Sequence, residues 1–134
     1  MRESEKAATG AFCWVDLAAT DVDRARGFYG RLFGWSSRRE SSDRESFTCA
    51  RISGETVASI YQLSRSGLAR EMPSHWTPYI RVDDIDAVLS RAARLGGQLI
   101  VGPTDVSDAA RAALIFDPVG AYVGLWQATE PDQS

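Results

Sequence analysis

The sequence is poor in the residues that most often build metal-binding or redox centres. Its 134 residues include two cysteines, Cys13 and Cys49, and one histidine, His75. The cysteines lack the close spacing of a metal site, so we expect two buried thiols and no disulfide. No run is long and apolar enough to span a bilayer, and residues 1–6 lead into no signal-peptide-like apolar stretch. We therefore expect a cytoplasmic protein with no membrane partner.

A basic surface is also missing. Lys and Arg number 15 against 18 Asp and Glu, for a formal net charge of −3. Because no positive field would attract phosphates, we expect no nucleic-acid partner. The 44% hydrophobic and 25% charged content is ordinary for a globular protein, and the length suits one compact domain.

An internal repeat is the most informative feature that is present. Advancing the segment that begins at Trp14 by 63 positions places residues 21–23 (Asp-Val-Asp) on residues 84–86 (Asp-Ile-Asp). Residues 58–62 resemble residues 123–127 at a slightly larger offset. In each copy an apolar strand leads into an Asp-apolar-Asp helix start and a Leu-x-Gly stop. Two copies of one module can enclose a pocket with equivalent positions facing it.

Periodicity and turn residues divide the chain into five segments. Residues 1–10 and 128–134 are polar tails, residues 11–63 are the first module, and residues 75–127 are the second. Residues 64–74 lack periodicity and form a linker. Alternating apolar residues predict three short strands after each helix, including one at residues 98–101. Each module therefore reads as βαβββ, and the predicted fold class is α+β.

These motifs resemble a known family. Residues 20–25 and 28–35 are similar to the first-module signature of the glyoxalase/bleomycin resistance/extradiol dioxygenase superfamily, also called the vicinal oxygen chelate superfamily. Residues 82–86 and 117–120 resemble its second-module signatures. The resemblance implies two βαβββ modules whose eight strands form a cupped sheet around a small-molecule pocket. It also implies helices on the outside and, often, a homodimer.

The resemblance further implies where a metal would bind. Members with metal chemistry hold one divalent ion through His, Gln or Glu from the first and last strands of each module. The matching positions here are Trp14, Ser59, Thr77 and Gly124, and the repeat pairs them in the same way. Indole and glycine offer no side-chain ligand, and neutral hydroxyls are poor ones. His75 lies two residues before the Thr77 position and has no carboxylate partners there. We therefore expect no metal and no other cofactor.

Strand parity predicts which residues line the pocket. Side chains two residues apart on a strand share a face. The residues that share the face of the four metal positions are Trp14, Asp16, Ser59, Tyr61, Thr77, Tyr79, Arg81, Tyr122, Gly124 and Trp126. Aromatic rings predominate, which suits stacking on a flat or sugar-bearing ligand, and Gly124 should leave open space on the floor. The same rings could equally be ordinary core, and Asp16 and Arg81 could pair with each other.

The sequence leaves three functions open. The favoured one is a metal-independent binding protein that holds a hydrophobic or aromatic natural product, as the drug-sequestering branch of the family does. The alternative is a metal-independent isomerase, cyclase or lyase with Asp16 as general base and His75, Tyr79 or Arg81 as acid or oxyanion support. The third is an accessory protein whose pocket is filled by its own aromatic side chains.

Overall fold

The computed structural model describes residues 8–41, 46–63, 72–107 and 110–128. They form eight strands and two helices in the order βαβββ-βαβββ, which confirms the predicted α+β class. The strands are β1 Phe12–Ala19, β2 Ser36–Ser41, β3 Ser46–Ile52, β4 Glu55–Gln62, β5 His75–Arg81, β6 Gln98–Ser107, β7 Ala110–Phe116 and β8 Tyr122–Ala128; the helices are α1 Val22–Phe33 and α2 Ile85–Arg94. Neither helix within these ranges has the length and apolar character needed to cross a bilayer. Residues 64–71 of the predicted linker, and most of both predicted tails, lie outside the described ranges.

The chain separates into two compact units. Among the described residues, the first unit contains residues 15–77, and the second contains residues 8–14 with residues 78–128. The first unit orders its strands β2-β3-β4-β1, with β1 and β4 parallel and the other neighbours antiparallel. The second orders its strands β5-β8-β7-β6, with β5 and β8 parallel. Each unit is therefore built on a mixed sheet.

In the first unit, α1 covers one face of the sheet. Leu17, Ala19 and Ile60 form a buried cluster on that face, and Val22, Ala25 and Tyr29 of the helix pack against it. Asp21 caps the start of this helix, and its carboxylate accepts a hydrogen bond from the Arg24 backbone N–H at 3.1 Å. Gly34 caps the end of the helix with φ at +76°, a conformation that glycine adopts without strain.

In the second unit, α2 covers the corresponding face. Its buried cluster contains Val82, Ile85, Ala113, Ile115 and Leu125. Asp84 caps the helix as Asp21 does, accepting from the Ala87 backbone N–H at 3.1 Å. In both units the apolar face lies under the helix, as the aliphatic residues of the alternating strands predict. We call the opposite face of each sheet its open face.

A matched pair of glutamines confirms that the repeat is structural. The backbone N–H of Val22 donates to Gln62 Oε1 at 3.4 Å in the first unit. The backbone N–H of Ile85 donates to Gln127 Oε1 at 2.7 Å in the second. In each unit the end of the last strand thus satisfies an N–H of the first helical turn, which has no partner within the helix.

Candidate functional site

Three aromatic rings meet on the open face of the second unit. The ring centroids of Trp14 and Trp126 lie 6.3 Å apart with planes inclined by 41°. Tyr79 meets Trp126 edge to face, at 6.0 Å and 85°. Trp14 is only 6% exposed, whereas Tyr79 and Trp126 are partly exposed. The result is an aromatic surface with one deeply packed ring and two partly exposed rings.

Gly124 lies beneath this surface, and the Tyr79 side chain occupies the space next to its Cα atom. Tyr79 and Gly124 are Cα partners in the parallel β5–β8 pair, so the tyrosine ring lies over the glycine. A Cβ atom at Gly124 would overlap the Cδ2, Cε2 and Cγ atoms of Tyr79. The expectation that Gly124 leaves open space for a ligand is therefore wrong. Parity identified the shared face, but it did not identify the side chain on the neighbouring strand that takes the space.

The remaining predicted residues of the second unit lie at the margins of the aromatic surface. Tyr122 contacts Phe116 at a centroid distance of 4.6 Å. The Arg81 backbone makes two hydrogen bonds. Its N–H donates to the Ala11 carbonyl at 2.9 Å, and its carbonyl accepts from the Gly10 N–H at 2.8 Å. Its register partner in β8 is Trp126. The backbone pairing therefore fixes where Arg81 lies along the open face.

Sequence reasoning missed the contribution of β7 to this face. Residues of β7 lie opposite Tyr122, Gly124 and Trp126; they are Phe116, Leu114 and Ala112. The available signal was the turn at Asp117, where the Asp117 N–H donates to the Ala121 carbonyl at 2.8 Å and closes the β7–β8 hairpin. A closed hairpin fixes the register, and the register assigns each β7 residue to a face.

Both cysteines are buried, as predicted. Burial raises the pKa of the Cys13 thiol, and the positive charge of Arg81 opposes that rise only in part. Cys13 therefore stays protonated at neutral pH, as expected for a packed thiol and not for a nucleophile.

In the first unit, the predicted polar residues lie on the open face. Asp16 and Ser59 are Cα partners across the parallel β1–β4 pair, and Tyr61 is paired with Ala18 two positions further along. Asp16 is half-buried, and its Oδ1 atom is screened from solvent. The register also assigns two residues that sequence reasoning missed to this face. Cys49 pairs with Ser59, and Arg38 pairs with Cys49.

His75 and Thr77 lie in the first half of β5, which belongs to the first unit, whereas the rest of β5 from Pro78 belongs to the second. The His75 Nδ1 atom is 2.8 Å from the Pro73 carbonyl oxygen. Because a carbonyl only accepts, Nδ1 donates the hydrogen in this contact. Thr77 is 2% exposed. The three predicted catalytic residues are thus divided, with Asp16 and His75 in the first unit and Tyr79 in the second.

The residues at the four family metal positions do not fit a divalent ion. The Trp14 ring packs on Trp126, Gly124 lies under Tyr79, and Ser59 and Thr77 supply only neutral hydroxyls. Across the described ranges, no three His, Cys, Asp or Glu side chains gather in a way that could hold a metal. The metal-free character of the protein stays a prediction based on this donor chemistry.

Two βαβββ units, each with one helix on one face of its strands and an open face on the other, are the architecture of the class of protein that the family comparison identifies. The chain belongs to the Glyoxalase/Bleomycin resistance protein/Dioxygenase superfamily, whose family model matches residues 11–125. It is 42% identical over 117 residues to a Mycobacterium bovis protein named "Putative glyoxylase CFP32", covering 86% of this chain and 44% of that protein. It is 34% identical over 131 residues to the "Anthracycline biosynthesis protein DnrV" of Streptomyces peucetius, covering 90% and 48%. The chain spans about half the length of the curated relatives it matches.

A solved structure supports the same fold. The chain superimposes on methylmalonyl-CoA epimerase from Mycobacterium tuberculosis with a TM-score of 0.62, covering 94% of this chain and 95% of the epimerase. The two sequences are 19% identical, so the likeness concerns the fold alone.

Proposed function

We propose that this protein binds a hydrophobic, flat conjugated small molecule without a metal ion and without turnover. The observation that carries the proposal is the partly exposed Trp126 ring, held between Trp14 and Tyr79 on the face turned away from α2. An aromatic ring fixed by its neighbours offers stacking area at little cost in side-chain entropy. In the second unit, Arg81, Tyr122 and Gly124 belong to the proposal as neighbouring positions on the same face. The predicted ligand-binding residues of the first unit stay a proposal for that unit; they are Asp16, Ser59, Tyr61 and Thr77.

The surface around Trp126 supports an apolar ligand. Gly124 is followed across the open face by Leu114 on β7 and Val101 on β6. Val101 is 52% exposed although it is apolar. Apolar area that stays exposed beside fixed aromatic rings is typical of a ligand-binding surface.

The name of one relative supports a class of ligand. DnrV is named as an anthracycline biosynthesis protein. Anthracyclines are flat conjugated polyketides that carry a sugar. Such a molecule matches what an aromatic surface with a few polar neighbours can hold. We therefore propose a natural product of this type as the ligand, held for sequestration or self-resistance.

Binding of doxorubicin, an available anthracycline, tests the role of Trp126. Isothermal titration calorimetry on the unaltered protein should give saturable, stoichiometric binding. Trp126→Ala should weaken the affinity at least about 10-fold, because it removes both stacking and buried apolar area. Trp126→Phe should retain part of the affinity. The matched control is Trp76→Ala, because Trp76 packs on Tyr29 in the first unit at 5.5 Å and not on the aromatic surface.

Two results would contradict this function. One is an equal loss of affinity in the Trp126→Ala and Trp76→Ala proteins, because that would trace the effect to general destabilisation. The other is conversion of doxorubicin to a new compound, detected by mass spectrometry.

A second candidate function rests on the Asp16 carboxylate. Its Oδ1 atom is screened from solvent on the open face beside Ser59, the setting in which a carboxylate can act as a general base. Acting as a base, Asp16 would take a proton from carbon next to a ketone and return one from solvent. In D2O the ligand would then gain deuterium at that carbon. Asp16→Asn should slow deuterium uptake by doxorubicin about 100-fold while binding persists, as mass spectrometry and calorimetry would show. No uptake by the unaltered protein would leave binding alone as the function.

The cytoplasmic location and the homodimeric state remain part of the proposal. Two buried thiols support a reducing compartment. Family resemblance supports the dimer, and analytical ultracentrifugation would test it.

A further inference from the structure

Four polar side chains form a row across the open face of the first unit. They are Asp16 on β1, Ser59 on β4, Cys49 on β3 and Arg38 on β2, each the register partner of the next. We call this set the polar row. The second unit has an equivalent set on β5, β8, β7 and β6, formed by Tyr79, Gly124, Leu114 and Val101, which we call the apolar row.

The apolar row shows which residues the same module can carry at the positions that correspond to the polar row. Both rows begin on the first strand of a βαβββ module, cross the parallel pair and end on the edge strand. Asp16 and Ser59 are half-buried, and moving polar groups away from water costs free energy unless they are compensated. The second unit folds with no charged side chain in its row, where the Tyr79 hydroxyl is the polar group, so the architecture does not require a charged one. The charged ends of the first row therefore indicate a role in recognition.

The order of groups along the polar row suits an elongated ligand. Asp16 and Arg38 carry opposite charges at the two ends, and the small side chains of Ser59 and Cys49 lie between them. Three strand spacings separate the ends, which places the two Cα atoms roughly 14 Å apart. Cys49 is 7% exposed and Arg38 is exposed, so the row runs from a screened carboxylate to a guanidinium that solvent reaches. Tyr61 shares this face and offers a ring beside the row.

We propose that the polar row binds an elongated molecule that carries an acid group at one end and a hydroxyl or amine at the other. Arg38 holds the acid through paired N–H donors, and Asp16 accepts a hydrogen bond from the opposite end. The Ser59 hydroxyl contacts the middle of the molecule. This inference goes beyond the proposed function because it adds Arg38 and Cys49 as site residues and assigns the row a different ligand chemistry.

Three probes separate the two ends of the row. They are 4′-hydroxybiphenyl-4-carboxylate, its methyl ester, which lacks the acid, and biphenyl-4-carboxylate, which lacks the hydroxyl. Affinities are measured by isothermal titration calorimetry on the full chain. Arg38→Met should weaken the hydroxy-acid at least about 10-fold and leave the ester unchanged, because only the acid pairs with the guanidinium. Asp16→Ala should abolish the preference for the hydroxy-acid over biphenyl-4-carboxylate.

Arg24→Met is the matched control, since Arg24 is an exposed arginine on α1 and outside the row. It should leave all three affinities unchanged, and melting temperatures would establish that each variant is folded. Equal losses for acid and ester in Arg38→Met would overturn the inference. So would failure of the unaltered protein to bind the hydroxy-acid at millimolar concentration. If Trp126→Ala weakens doxorubicin while Arg38→Met changes no probe affinity, the proposed function stands and this inference fails.

Discussion

Replacing Trp14 with alanine should lower the free energy of unfolding by about 3–5 kcal/mol, which is a large share of the stability of a small domain. The indole is 6% exposed and packs against the Trp126 ring at 6.3 Å. Its removal loses the transfer free energy of a large apolar group and leaves a cavity that the flanking strands cannot fully close. Urea denaturation followed by far-ultraviolet circular dichroism measures the loss without relying on tryptophan fluorescence.

The control for Trp14 lies two residues away on the same strand. Phe12 is 65% exposed, so Phe12→Ala should change the free energy of unfolding by no more than about 0.5 kcal/mol. Trp126→Ala should fall between the two because its ring is only partly exposed. If Trp14→Ala costs no more than Phe12→Ala, then Trp14 is not the packed support of the aromatic surface.

These three variants also distinguish packing from binding. Trp14 supports the surface from below, and Trp126 presents the ring that we expect a ligand to contact. The loss of stability should therefore be largest at Trp14. At Trp126, the loss of ligand affinity should exceed what the loss of stability explains. Ordinary core aromatic residues would show the two losses in proportion.

Local signals made much of the fold predictable from the sequence. The carboxylates of Asp21 and Asp84 cap their helices. Each carboxylate accepts a hydrogen bond from the backbone N–H three residues later in the chain. Residues 62 and 127 were matched by the repeat alone, and both prove to hydrogen-bond the first turn of a helix. Helix caps and repeated hydrogen bonds of this kind can therefore be predicted from residue type and spacing, because their positions follow from the order of residues along the chain.

Features that depend on pairing between strands were not predictable in the same way. β6 was expected at residues 98–101 but extends to Ser107, because its ladder with β7 continues through register shifts around Gly102. Cys49 and Arg38 were left out of the candidate site because each reaches the open face only through the β2–β3–β4 register. Parity assigns a residue to a face of its own strand, whereas a site requires the register of every strand beside it.

A double-mutant cycle at Gly124 and Tyr79 tests the contact between the glycine and the tyrosine ring, which the sequence did not predict. Gly124→Ala should lower the free energy of unfolding by about 2 kcal/mol, because the added Cβ overlaps the Tyr79 ring. In a Tyr79→Ala background the same substitution should be close to neutral, which corresponds to a coupling of about 2 kcal/mol between the two positions. Gly27→Ala is the matched control, because a Cβ at Gly27 of α1 meets nothing within 4 Å and should stabilise the helix by about 0.5–1 kcal/mol. Chemical denaturation of the four variants (Gly124→Ala, Tyr79→Ala, the double variant and Gly27→Ala) and of the unaltered chain gives these values. Additive losses at Gly124 and Tyr79 would show that the ring does not occupy the glycine's space, and the floor beside Trp126 would then be open to a ligand after all.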